Sequence, residues 1–123
     1  MRILIIEDNA AFRNSLRALL CSHSDAVEVL EAADAGEALD LARTSGPGLI
    51  FVDIQLPGGN GLSVTRDIKA FLPDTPVAIL TSYDLPEYRS AAADCGANHF
   101  LGKDTSSADD ILGLVDAYLH PAV

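Results

Sequence analysis

Gly48–Leu62, GLIFVDIQLPGGNGL, decides the fold. Leu49-Ile50-Phe51-Val52 is an unbroken apolar run of strand length. A strand with one wet face would alternate. A run apolar at every position belongs to a strand covered on both faces, as inside a parallel sheet. The run stops at Asp53. Ile54-Gln55-Leu56-Pro57 follows, then Gly58-Gly59-Asn60-Gly61, which reads as a loop that is neither helix nor ladder. A carboxylate at the carboxyl end of a buried strand, ahead of a Gly-rich loop, stands where open α/β sheets bind ligands. Taken alone, Asp53 could simply end the strand, so the rest of the chain has to decide.

Working outward, the same rhythm recurs. Ile3–Ile6 is a buried strand, followed by Glu7-Asp8-Asn9. Ala11, Phe12, Leu16, Leu19 and Leu20 recur at helical spacing over Ala10 to about Cys21, with Arg13 and Arg17 on the wetter side. Val27–Ala32 alternates apolar and charged residues, as a half-exposed or edge strand does. Asp34, with Glu37 three residues on, starts a second helix that Ser45-Gly46-Pro47-Gly48 closes. Leu62, Val64, Ile68, Phe71 and Leu72 mark a third helix, which Pro73-Asp74-Thr75-Pro76 stops. Val77–Leu80 is a fourth strand, followed by Thr81-Ser82-Tyr83. A helix over Pro86–Cys95 ends at Gly96. His99–Leu101 is a fifth strand, followed by Gly102-Lys103-Asp104. A last helix, capped by Ser106 or Ser107, runs to about Leu119 and is ended by Pro121. Five alternating strand–helix units predict an α/β fold: one domain over residues 1–123, a doubly wound parallel (βα)5 sheet of flavodoxin-like type.

Composition narrows the function. Lys and Arg number 8 against 18 Asp and Glu, a formal net charge of −10. That argues against direct binding of nucleic acid or an anionic membrane, both of which need a basic face. It suits cations or basic partner surfaces. No apolar stretch approaches the roughly 20 residues that span a bilayer, and the N-terminus lacks a signal peptide's apolar core. Cys21 and Cys95 make no disulfide framework and have no His or basic neighbour in sequence. They read as small apolar residues in a reducing cytoplasm. His23 and His120 read as exposed loop and terminus residues. His99 reads as a contributor to a partner surface or a simple strand residue.

In a parallel sheet all the carboxyl ends lie on one side. Glu7-Asp8, Asp53, Thr81-Ser82 and Lys103 are therefore neighbours. Clustered carboxylates repel, so without help one of them takes up a proton. A divalent cation relieves that repulsion. Oxygen ligands without His or Cys favour a hard ion, and Mg2+ fits best. A metal beside a carboxylate suggests phosphoryl chemistry, with the carboxylate attacking phosphorus and Lys103 and Thr81 stabilising the phosphoryl oxygens.

At this point the chain resembles the receiver domain of bacterial two-component response regulators over essentially its whole length. The matching residues are Glu7-Asp8, Asp53 with Leu56-Pro57 and Gly61-Leu62, Thr81-Ser82, and Gly96-Ala97 leading to Phe100-Leu101 and Lys103. The resemblance implies that Asp53 accepts a phosphoryl group from a sensor histidine kinase. It implies that Asp8, Asp53 and the Gln55 backbone carbonyl ligate Mg2+, with Glu7 acting through water. Lys103 would pair with the phosphoryl group, while Thr81 and Phe100 form the switch. Gln55 and Tyr83 stand where the family controls the hydrolysing water, and bulky Tyr83 would slow dephosphorylation or simply cover the fourth helix. Such a domain is a cytoplasmic regulatory phosphoacceptor and not an enzyme, although it assists its own phosphorylation and dephosphorylation. Asp104 replaces the family's common Pro, so the Lys103–Asp104 bond should be trans. The Lys-Asp pair resembles receivers joined to a C-terminal helix-turn-helix DNA-binding domain, for which this chain is too short. The expected output is transcription, and a homodimer formed on phosphorylation is left open. Three other readings compete: a flavin-binding module, an aspartyl-phosphate phosphohydrolase and a phosphate-independent scaffold. The first lacks Ser or Thr after strand 1 and any Trp. The second would place its nucleophile after the first strand.

Overall fold

The apolar runs become strands. In the computed structural model, which describes residues 1–120, β1 (Arg2–Ile6), β2 (Glu28–Ala32) and β3 (Leu49–Val52) belong to one parallel sheet. A short β4 (Gln55–Leu56) and β5 (Gly59–Asn60) follow, and β6 (Val77–Thr81) and β7 (His99–Gly102) complete the sheet in the order β2-β1-β3-β6-β7. Helices α1 (Ala10–His23), α2 (Ala35–Ser45), α3 (Gly61–Phe71), α4 (Pro86–Asp94) and α5 (Ala108–Leu119) alternate with these strands. The doubly wound parallel architecture is therefore present, with β2 at an edge as its alternation predicted.

Period-2 geometry explains why the inner strands are apolar throughout. Leu4, Ile6, Ile50, Val52 and Ile79 point to one face and pack with Ala38 and Ala42 of α2, Val64 and Ile68 of α3 and Ala92 of α4. Ile3, Ile5, Phe51, Ala78 and Leu80 point to the other and pack with Leu16 and Leu20 of α1 and Ile111 and Val115 of α5. Helices thus cover both faces, and polar side chains are left for the strand ends.

The helix starts follow the capping chemistry. Asp34 accepts from the Glu37 N–H at 2.8 Å, while Glu37 reaches back to the Ala33 N–H at 2.9 Å. Of the two serines proposed as the last cap, Ser107 is the one, in a reciprocal box with Asp110. The Lys103–Asp104 bond is trans, as are all described peptide bonds. Pro121 lies outside the described residues.

Three sequence expectations need correction. Residues 54–61 are not a plain loop: Gln55↔Asn60 and Leu56↔Gly59 form an antiparallel ladder, and Gly61 already starts α3. Pro57-Gly58 makes this hairpin. Proline presets its own φ, and Gly58 takes φ +73°, as the two central positions of a type II turn require. Arg13 does not face water. It is partly buried, donates to the Glu7 carbonyl at 2.8 Å and pairs with Glu31 at 3.4 Å. His23 likewise is no loop residue: it ends α1 and contacts Asp116 of α5 at 2.8 Å.

Gly61 is the tightest constraint. A Cβ there would overlap the Asp53 carbonyl oxygen and lie 2.8 Å from the Asp53 carbonyl carbon. The Gly61 N–H donates to the Ile54 carbonyl at 2.7 Å, tying the start of α3 to the end of β3. Gly61→Ala should cost about 1–3 kcal/mol or more, because backbone leaves no room for the methyl group. Urea unfolding checks this, and an unchanged midpoint would show that the contact is not tight.

Candidate functional site

The ladder continues one residue past two strands and so fixes two side chains. The Glu7 N–H donates to the Ala32 carbonyl at 2.9 Å, and the Asp53 N–H to the Ile6 carbonyl at 3.0 Å. Lys103 is fixed in the same way, its N–H donating to the Thr81 carbonyl at 2.8 Å. The parallel sheet thereby sets an acid after β1, an acid after β3 and an ammonium after β7 on one edge.

These side chains meet in a largely water-free place. Glu7 is 2% exposed, Asp53 8% and Thr81 0%. Lys103 Nζ donates to Asp53 Oδ2 at 3.0 Å and, in a very short contact, to Glu7 Oε1. The ammonium also lies 4.3 Å from the centre of the Phe12 ring on α1, which shields it from solvent and favours its charge. Thr81 Oγ1 accepts from the Tyr83 N–H at 3.2 Å, leaving the hydroxyl proton free to donate. Phe12 was legible only as part of the apolar stripe of α1; its place over the ammonium needs the packing of α1 against β7.

The charges do not balance within the protein. Burial pushes the Glu7 carboxyl up, the Lys103 hydrogen bond pulls it down, and neighbouring Asp53 pushes it up again, to about 7. Burial would also raise Asp53, but the polar groups of Glu7, Lys103 and Thr81 beside it outweigh that and hold Asp53 below the usual range. Burial alone would lower the Lys103 ammonium, yet its two carboxylate partners raise it. The expected proton uptake by one carboxylate therefore falls on Glu7.

A cation fits this donor set. Carboxylate oxygens of Glu7, Asp8 and Asp53 lie within 4.8 Å of one another. Glu7 Oε2 and Asp53 Oδ1 are buried and have no hydrogen-bond partner. Two orphaned acceptors beside a third carboxylate are costly unless a positive group completes them. Asp8 is exposed, so the cluster opens to solvent on one side. Gln55, on β4, lines the cleft beside Asp8. The Gly61-to-Ile54 hydrogen bond makes that a bonded pair, so alternation in the antiparallel ladder leaves Gln55 and Asn60 as a non-bonded pair. The Gln55 carbonyl is thus not used by the ladder.

The remaining sequence candidates fall around the site. Gln55 and Tyr83 line an open cleft with Asp8, Asn60 and Tyr88. Tyr83 is 37% exposed, and its ring centre lies 5.8 Å from that of Tyr88 on α4. Ser82 is exposed and lines a different cleft with Asp84 and Thr105. Phe100 is partly exposed on β7 and packs against the margin of the core. His99 contacts the Tyr118 hydroxyl, and burial lowers its imidazole. Cys95 is buried and Cys21 exposed.

This edge chemistry on this sheet is that of a signal-receiving domain, and comparison with known proteins agrees. Residues 3–116 match the family model described as response regulator receiver domain, and the chain belongs to that family. It is 37% identical over 103 residues to the response regulator MprA of Mycolicibacterium vanbaalenii, covering 84% of this chain and 44% of MprA. It is 31% identical over 105 residues to the uncharacterized transcriptional regulatory protein YxjL of Bacillus subtilis, covering 85% of this chain and 48% of YxjL. A response regulator from Burkholderia pseudomallei, solved with a phosphorylated aspartic acid, calcium ion and citrate, superposes with a TM-score of 0.83 at 29% identity. That match covers 98% of this chain and 66% of the other. The chain spans less than half the length of the curated relatives it matches. Among the described residues no helix is long and apolar enough to cross a membrane.

The raised Glu7 carboxyl has a measurable consequence. Its folded-state value, about 7, exceeds the model-peptide 4.5, so its contribution to stability is fully present below 4.5 and is lost as pH rises through 7. Asp53 acts oppositely, but its contribution is lost only as pH falls through its depressed value below 3.8. His99, lowered by burial, opposes this below its ordinary 6.5, so the Glu7 contribution is read as the difference from Glu7→Gln. Relative to Glu7→Gln, metal-free protein should lose on the order of 1–3 kcal/mol between about pH 4.5 and 7 by urea unfolding. Parallel profiles for the two proteins would contradict this.

Proposed function

We propose that this chain is the phosphoacceptor module of a two-component system, with Asp53 as the acceptor. The observation that carries the reading is the Asp53 Oδ1 atom. It is buried without a hydrogen-bond partner, while Oδ2 of the same carboxylate is held by Lys103. One oxygen anchors the group and the other is free to act as a nucleophile. The carboxyl is held below its usual range, so it is ionised at neutral pH.

The chemistry follows from that arrangement. A sensor histidine kinase would present a phosphohistidine. Asp53 Oδ1 forms a bond to phosphorus, the P–N bond breaks with its electron pair going to nitrogen, and the ring, already protonated on its other nitrogen, leaves as neutral imidazole. Lys103, already within hydrogen-bond distance of Asp53, would pair with the new dianionic group. Thr81 would donate its free hydroxyl proton to a phosphoryl oxygen, and Phe100 would move into the space that Thr81 leaves. Asp8, Asp53 and the Gln55 carbonyl would hold Mg2+, with Glu7 acting through water; the ion would neutralise the charge on the transferring group. The Glu7 proton would be released on binding, since two positive charges balance the acidic cluster better than one proton does. The Burkholderia pseudomallei neighbour, which carries a phosphorylated aspartic acid and a calcium ion, supports the acceptor chemistry and the binding of a divalent ion.

The wider setting belongs to the same proposal. Residues 1–123 would form one receiver domain, acting in the cytoplasm. Its role is regulatory, with any dephosphorylation serving to reset the switch. Kinship with MprA and with a transcriptional regulator suggests a DNA-binding partner domain and a transcriptional output. Tyr83, braced by Tyr88 at the mouth of the cleft beside Asp8, would slow the approach of hydrolysing water.

Intact mass after incubation with acetyl phosphate and Mg2+ tests this reading. One phosphoryl adduct is expected, absent without Mg2+ and absent in Asp53→Ala. Tyr83→Ala should lose the adduct several-fold faster. An adduct that survives in Asp53→Ala would refute the acceptor assignment. An unchanged decay in Tyr83→Ala would leave Tyr83 as a cover for α4 only.

A further inference from the structure

One carboxylate joins the loop that follows Thr81 to the loop that follows Lys103. Asp84 Oδ1 accepts from Arg89 Nε at 2.6 Å, and Asp84 Oδ2 lies 3.4 Å from Thr105 Oγ1. The carboxylate rests against Gly102 at the end of β7. A Cβ at Gly102 would lie 2.9 Å from Asp84 Oδ2 and would run into the Thr105 hydroxyl. The notch therefore exists because residue 102 has no side chain.

Arg89 extends the connection to the switch aromatic. Its guanidinium carbon lies 4.8 Å from the centre of the Phe100 ring. Arg89 is the only basic residue on α4 or α5. The Asp84–Arg89 pair is half exposed, so as an ion pair it contributes little to folding. Its geometric effect is larger. A planar guanidinium with one nitrogen fixed by a carboxylate has few ways to leave the ring it covers.

We propose that Asp84 and Arg89 are positioning residues of the switch, holding the Phe100 ring in its partly exposed position until Asp53 is phosphorylated. The proposal rests on the receiver reading above. Asp84 hangs on the loop that follows Thr81, so a movement of Thr81 toward a phosphoryl group pulls on the same carboxylate that fixes Arg89. Freeing the guanidinium frees the ring. A solvent-exposed cation–π contact corresponds to a population shift of about two- to fivefold. By linkage, cutting it tightens binding of any ligand that favours the moved ring by the same factor.

The test uses 19F NMR on metal-free protein carrying 4-fluorophenylalanine, with the Phe100 signal assigned through Phe100→Leu. Arg89→Ala and Asp84→Ala should each move the Phe100 resonance in the direction that Mg2+ with beryllofluoride moves it in the unaltered protein. Each should bind beryllofluoride about two- to fivefold more tightly. In the Phe100→Leu background, Arg89→Ala should change the affinity no further, which separates positioning of the ring from a general loss of surface charge. A Phe100 resonance indifferent to Arg89→Ala overturns the proposal, and so does an unchanged beryllofluoride affinity in that variant. If the unaltered protein gives no response to Mg2+ and beryllofluoride, the receiver reading itself fails and the proposal falls with it.

Discussion

A single ammonium shared between two buried carboxylates organises this molecule. Lys103 joins Glu7 and Asp53, residues 96 and 50 positions away in sequence. Removing three charges from water is expensive, and one cation among two anions does not fully repay it. The arrangement persists because the sheet over-determines it: each of the three residues has its backbone N–H bonded to a neighbouring strand. The unbalanced charge shows in the raised Glu7 carboxyl and in two buried oxygens without partners. The fold holds this site short of positive charge, which is what the proposed divalent ion would supply.

The fold serves that end through two features of close approach. Gly61 lets the start of α3 press on the Asp53 carbonyl, which fixes the backbone beneath the Asp53 carboxylate. The Pro57-Gly58 hairpin keeps the Gln55 carbonyl out of ladder bonding. At the opposite side of the crevice, Gly102 lets Asp84 rest on the end of β7. Gly61 and Gly102 are glycine because backbone at one and polar side chains at the other occupy the space of a side chain, whereas Gly58 serves through its positive φ.

Much of this was legible in the sequence, for a physical reason. Strands apolar at every position can only be central in a parallel sheet, and parallel strands bring their carboxyl ends together. That places Glu7, Asp8, Asp53, Thr81 and Lys103 without any coordinates. The hairpin was not legible, because Pro-Gly-Gly-Asn signals a break in structure as readily as a two-residue turn between minimal strands. Arg13 was misread because helical periodicity marks it as outward-facing, whereas its long side chain bends back to the Glu7 carbonyl. The His23–Asp116 and Arg89–Phe100 contacts depend on how α1, α5, α4 and β7 pack, which composition and spacing do not encode.

The central claim is that the free oxygen of Asp53 and the neighbouring acids form one site for a cation and a phosphoryl group. A crystal structure with Mn2+ in place of Mg2+ and with beryllofluoride tests it most directly, because manganese is located by its anomalous scattering. The account predicts an anomalous peak between the Asp8 and Asp53 carboxylates and the Gln55 carbonyl, with the trifluoride on Asp53 Oδ1 and against Lys103 Nζ. A peak elsewhere, or a trifluoride bonded to Glu7, would contradict it.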